Sequence, residues 1–208
     1  MSSKKAHHLI FNRVAPIYGI FFNSQKRSFK MAIKKAKPEF DLTKYRSILD
    51  VGSGTGALCS VLADQGHEVT GVEPAERMMT VAKVKTASQG IPFISGNILE
   101  GLPFEDGAFD IVMASFVAHG LTPEHRKQMY MEMSRIAKHY VIFHDFNENR
   151  SLPISLIEWL EGGDYFRFIK TARHEMRSCK TALSTCFSEV KVIDVAKQAA
   201  WYICKPQV

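Results

Sequence analysis

Three glycines at alternate positions, Gly52, Gly54 and Gly56, close the short apolar run Ser47-Ile-Leu-Asp-Val. Glycine inside a regular element costs roughly 0.5–1 kcal/mol relative to alanine. A chain with three in five residues turns sharply there and leaves bare backbone that a ligand can approach. A carboxylate, Glu73, follows 21 residues after Gly52. An acid about 20 residues past a glycine turn, at the end of the next strand, can accept both hydroxyls of a ribose. Alone, Glu73 could simply cap a helix starting near Ala75, where a negative charge suits the helix dipole. The glycines and the acid arriving together favour a nucleoside.

Other polar residues fall at the ends of later apolar runs: Gly96, Asn97 and Ile98; Ser115 to His119; His144 and Asp145. Ligands of open α/β sheets bind outside the carboxyl ends of the strands, so these residues form one rim. A histidine titrating near 6.5 suits proton transfer. His119, four residues past Ser115, is the first candidate base, and His144 and Asp145 come next. The bland alternatives are a helix-start histidine for His119 and a hydrogen-bonded core residue for His144. The other histidines and the four cysteines (Cys59, Cys179, Cys186, Cys204) show no metal-ligand spacing, so no metal is expected.

These residues need a scaffold. Apolar runs at Ser47–Val51, Glu68–Val72, Phe93–Ser95, Phe109–Ala114 and Tyr140–His144 alternate with helical stretches near 57–65, 75–88 and 123–137. That alternation predicts a parallel sheet covered on both faces. Val190–Val195 and Ala200–Lys205, joined by a short link, read as an antiparallel hairpin closing one sheet edge. The expected fold is α/β: a Rossmann-like, doubly wound, mostly parallel seven-stranded sheet with a C-terminal antiparallel hairpin. Residues 7–36 read as helix, broken near Pro16, with Phe22, Phe29, Ile33 and Ala36 on one face. Residues 153–186 read as helix and loop. The domain reading is a basic helical lid over 1–44 and an α/β domain over 45–208.

Hydrophobic residues make up 46% and charged residues 23% of the 208, enough for a real core. The net charge is +6, and residues 1–45 hold ten Lys/Arg against two acids. The remainder is therefore slightly acidic. The basic, Phe-rich helix could meet an anionic membrane surface, or simply be a solvated face. No apolar run approaches about 18 residues, and no secretory signal is visible, so a cytoplasmic protein with reduced thiols is expected.

The glycine pattern is ambiguous by itself, because Gly52-x-Gly54-x-x-Ala57 also satisfies a dinucleotide fingerprint. An NAD(P)-dependent oxidoreductase is the competing reading. Against it stand about 45 residues before the first strand, a terminal hairpin in place of a substrate domain, and the segment Leu102 to His119. ILDVGSGTG, VTGVEPA and SGNILEGLPFEDGAFDIVMASFVAHGL together resemble a class I S-adenosylmethionine-dependent methyltransferase of the small-molecule type, over about residues 45–145. FNRVAPIYGIFFN resembles the segment before the sheet in ubiquinone/menaquinone C-methyltransferases. That family usually puts an aspartate after the tyrosine, where this chain has Gly19.

The resemblance implies S-adenosyl-L-methionine as cofactor, leaving as S-adenosyl-L-homocysteine, and a small-molecule acceptor. It implies a cofactor-binding set of Tyr18, Asp50, Gly52, Ser53, Gly54, Thr55, Gly56, Glu73, Pro74, Met78, Asn97, Ile98, Ser115 and Phe116. Within it, the glycines would pass under the methionine part and Glu73 would hold the ribose. Asn97 and the Ile98 backbone would meet the adenine. Met78 would pack on the adenine or serve as plain core. Ser115 and Phe116 would lie beside the sulfonium, and Tyr18 would fold over as part of a lid. Adenine-amino methyltransferases usually carry Asn/Asp-Pro-Pro-aromatic after the fourth strand. Ala114-Ser-Phe-Val stands there instead, so DNA is not an expected substrate and RNA is disfavoured. A cofactor-binding protein without catalysis is a third reading.

Overall fold

The computed structural model describes residues 15, 18–147 and 180–207. The expected break at Pro16 and most of the 153–186 stretch lie outside the described residues. Seven strands, β1 (Ser47–Val51), β2 (Glu68–Glu73), β3 (Phe93–Ser95), β4 (Phe109–Ser115), β5 (Ala137–Phe146), β6 (Phe187–Asp194) and β7 (Ala199–Pro206), form one sheet in the order β3-β2-β1-β4-β5-β7-β6. The first five run parallel. β7 lies antiparallel between β5 and β6. The expected strands and hairpin are present, β5 extending further in both directions than its apolar centre suggested. A dinucleotide fold orders its strands 3-2-1-4-5-6. The inserted antiparallel β7 separates this sheet from that plan.

Helices cover both faces. α1 (Phe22–Ala36) and α2 (Ala57–Asp64) lie on one side, where Ala32, Ile33, Ala36, Leu58 and Leu62 pack against Ile48, Met113, Ile142 and Trp201. α3 (Glu76–Lys85) follows β2. α4 (Pro123–Ile136) covers the other face, where Met129, Tyr130 and Met133 pack on Val112, Phe143 and Tyr202. Its start is well specified: Pro123 sits in the first turn and the Thr122 hydroxyl accepts from His125 N at 3.3 Å.

Phe22, Ala32, Ile33 and Ala36 are buried, and Lys26 donates to Ser60 Oγ (2.7 Å) and Asp64 Oδ2 (3.0 Å) on α2. The described part of the basic segment is thus a layer of the core, with several of its lysines on the outer face.

Candidate active site

Strand register sets the rim. Val51 pairs with Val72 on one side and Ala114 on the other, so Gly52 sits level with Glu73 and Ser115. Ser115 in turn pairs with His144, and Glu73 with Ser95. The chain leaves β1 through Gly52, Gly54 and Gly56, all at positive φ (71°, 53° and 77°). A Cβ on Gly52 would stand 2.7 Å from Val117 Cγ2, and one on Gly56 2.9 Å from Phe93 Cζ. At these two positions both the backbone conformation and the crowding demand glycine.

Glu73 reaches the bend directly. Its Oε2 accepts the Gly54 N–H at 2.9 Å and its Oε1 the Ala75 N–H at 2.8 Å. Burial raises its titration and the two N–H bonds partly offset that. Asp50, at the end of β1, is fully buried and accepts from Cys59 Sγ at 3.1 Å. Burial pushes its carboxyl up to about 7, with Glu73 adding repulsion and the Cys59 bond opposing. Three buried polar atoms around the bend, Asp50 Oδ1, Ser53 Oγ and Ser115 Oγ, have no hydrogen-bond partner among the described residues. Buried polar groups are normally hydrogen-bonded, so a cluster of orphans marks a place built for a ligand.

The rest of the rim is less uniform. Thr55 donates to Gln25 Oε1 at 3.0 Å, tying the bend to α1. Half-buried Tyr18 packs with Ala15, Ala75, Met78 and Val81; Met78 is itself core. Asn97 is engaged locally: Oδ1 accepts from Leu99 N at 3.1 Å, and Nδ2 donates to Glu100 at 3.0 Å. It caps the turn that buries Ile98. Phe116 has φ 55°, the one non-glycine residue with positive φ among those described, and is 40% exposed. Strained backbone of this kind persists where surroundings over-determine it, often at functional sites. Here the Phe116 N–H donates to His144 O at 2.8 Å, and its ring lies 4.9 Å from His144 and 5.2 Å from Phe146.

The candidate proton-transfer residues separate. His119 Nδ1 lies 2.9 Å from Asp145 Oδ1, and the His119 N–H donates to Asp145 Oδ2 at 3.2 Å. Phe146 N–H donates to Oδ1 at 2.8 Å. Burial works to raise the Asp145 carboxyl, but His119 and these N–H bonds win and hold it below the usual range. Asp145 is therefore ionised and orients His119. His144, one residue earlier in β5, faces the opposite side of the sheet. Phe29 stands edge-on to it at 5.5 Å and Trp201 at 6.4 Å. Burial lowers its ring to about 4, and it makes no hydrogen bond among the described residues. It is a poor proton acceptor outside the His119–Asp145 pair. Gln25, which reaches the bend from α1, escaped the sequence reading because only the apolar and basic residues of that helix were read; Phe29, read as part of its apolar face, also meets His144. Arg126 escaped the reading too, though an arginine in line with Met129, Tyr130 and Met133 breaks an apolar stripe.

Residues 48–139 match the family model described as methyltransferase domain. The chain carries a class I S-adenosylmethionine-dependent methyltransferase domain. The chain is 32% identical over 143 residues to a demethylmenaquinone methyltransferase of Staphylococcus aureus (strain MRSA252), an alignment covering 66% of this chain and 58% of that one. The chain thus spans less than two thirds of the length of that curated relative. A Methanococcus maripaludis protein proposed to be an S-adenosyl-L-methionine-dependent methyltransferase shares its fold, with a TM-score of 0.69, 16% identity and coverage of 95% and 94% of the two chains. So does the magnesium protoporphyrin IX methyltransferase of Synechocystis PCC 6803, solved with bound S-adenosyl-L-homocysteine: TM-score 0.60, 16% identity, 88% and 83% covered. The cofactor of this domain family is S-adenosyl-L-methionine. Among the described residues, no helix is long and apolar enough to cross a membrane.

Proposed function

We propose that the protein transfers a methyl group from S-adenosyl-L-methionine to a small-molecule acceptor. One observation carries the reading: the buried, unpartnered Asp50 Oδ1, Ser53 Oγ and Ser115 Oγ cluster around a positive-φ bend whose Gly54 N–H is already bonded to Glu73. These groups fit the cofactor's chemistry. Asp50 suits the ammonium of its amino-acid end, the bend suits close backbone approach, and Glu73 suits two ribose hydroxyls. Tyr18 and Met78, packed with Ala75 just after Glu73 and Pro74 in the chain, fit the nucleoside side.

Bound S-adenosyl-L-methionine supplies a methyl group on a good leaving group. The remaining work for the protein is alignment and water exclusion, which can contribute roughly 7–11 kcal/mol. Phe116, fixed at the rim by its N–H bond to His144 O, would shield the reacting centre. With Nδ1–H held on ionised Asp145, His119 presents Nε2 as the proton acceptor for an acceptor hydroxyl. A positioned base typically adds about 10²–10⁴-fold.

Calorimetry with S-adenosyl-L-methionine and S-adenosyl-L-homocysteine tests this reading. Binding of both is expected. No heat at high micromolar ligand, with fluorescence quenching by NADH, would replace it with the oxidoreductase.

A further inference from the structure

The cation Arg126 has no use in the account so far. It is 2% exposed, opens the inward stripe of α4 and has no ion-pair partner among the described residues. Its Nη1 donates to Leu121 O at 2.6 Å, while the buried Nε has no partner among the described residues. The nearest acid in sequence, Glu124, is exposed. Charged side chains are almost never fully buried unless paired, and an uncompensated buried charge is strongly destabilising. The start of a helix, with its own positive dipole end, is a still worse place for a lone cation.

Its position explains it. α4 connects the parallel strands β4 and β5, so it runs back along the sheet and begins at the carboxyl rim. Leu121 O, which holds Nη1, is two residues from His119. One turn further along α4, Tyr130 lines a small cavity together with His119 and Asp145. The free Nε edge of a guanidinium matches a planar oxyanion side-on, a geometry an ammonium cannot reproduce.

We infer that the methyl acceptor is a hydroxy acid whose carboxylate pairs with Arg126 while its hydroxyl meets the His119–Asp145 pair. The inference rests on the methyltransferase reading above. It accounts together for an arginine in an apolar stripe, an orphan Nε–H and the lack of a close ion pair among the described residues, exposed Glu124 feeling the charge only at longer range.

The test uses the full chain and three probe pairs: 4-hydroxybenzoate, 1-hydroxy-2-naphthoate and 3-hydroxybutyrate, each against its amide. Calorimetry first measures S-adenosyl-L-homocysteine, then each probe on the saturated protein. At least one carboxylate should bind tenfold or more tighter than its amide. Arg126→Met should erase that preference, Arg126→Lys should weaken it, and both should bind S-adenosyl-L-homocysteine within about twofold of wild type. Removing an unpaired buried charge should also raise the melting temperature of the ligand-free Arg126→Met variant. Failure of S-adenosyl-L-homocysteine to bind wild type removes the methyltransferase reading and this proposal with it. Normal binding with no carboxylate preference, or a preference that survives Arg126→Met, removes the proposal alone. An Arg126→Met protein that melts lower or fails to fold assigns the arginine a structural role and also overturns it.

Discussion

Replacing Glu73 by alanine separates its two duties. In the ligand-free domain the carboxylate accepts the Gly54 and Ala75 N–H groups. Losing an acceptor for a buried N–H costs roughly 1–3 kcal/mol. Ala75 is buried and Gly54 half-buried, so water can replace the acceptor more easily at Gly54. Against that loss, Glu73→Ala removes a carboxylate whose charge burial already disfavours. The balance should stay within about 2 kcal/mol, a melting shift of roughly 4–8 °C for a chain of this size. Binding is a different matter. Two hydrogen bonds from ribose hydroxyls to a charged acceptor are worth roughly 1.5–3 kcal/mol each. Even the lower value gives about 3 kcal/mol, a loss of about 100-fold in affinity. The assay is calorimetric titration with S-adenosyl-L-homocysteine, with melting followed in parallel. A folded Glu73→Ala protein with wild-type affinity would refute the ribose assignment and the geometry drawn from it.

Three further outcomes follow from the same structure. Asp50 titrates near 7, so if its ionised form holds the cofactor's ammonium, affinity should fall as pH drops from 8 to 6, by up to about tenfold per unit. The sign is opposite for the ligand-free domain: a carboxyl raised above its unfolded value takes up a proton on folding, so acidification from about 7 toward 4 adds stability through this group. Asp50→Asn should flatten both profiles, and pH-independent affinity in the wild type would remove the residue from the site. His119→Ala should lower turnover about 10²–10⁴-fold with cofactor affinity unchanged, as measured by product formation on the true acceptor; unchanged turnover would end its role as base. Ile33→Ala, on the buried face of α1, should cost about 2–4 kcal/mol and lower the melting temperature by roughly 5–15 °C. A smaller shift in thermal unfolding would show that α1 is only loosely attached.

The scaffold was legible because its strands are continuous apolar runs separated by stretches of helix length. The bend after β1 was legible for a similar reason: Gly52, Gly54 and Gly56 at positive φ, with Glu73 bonded to the Gly54 N–H, are set by local backbone geometry, which leaves a mark in the residue order. Residues that act through distant pairing left no such mark. His119 and Asp145 stand 26 positions apart, and only the β4–β5 pairing and the turn before α4 bring them to 2.9 Å. The alternation of side chains along β5 also placed His144 and Asp145 on opposite faces, which grouping them as neighbouring acid–base candidates had ignored. Asn97 was read for what it could offer a base, while its hydrogen bonds show a turn cap. Helix α1 was read as part of a lid with one apolar face; Ile33 and Ala36 of that face are buried in the core on one side of the sheet.

Consecutive residues of β5 face different rooms. His144 belongs to the side of α1, among Phe29, Phe116 and Trp201, and Asp145 to the side of α4. In the proposed reaction the sheet edge would stand between the groups around the methyl donor and the His119–Asp145 pair, with Phe116 and Phe146 packing where the two meet. Substitutions on α4 and in the turn before it can remodel what is methylated without disturbing the donor's seat. A single partition of this sort lets one scaffold diversify its chemistry from one flank only.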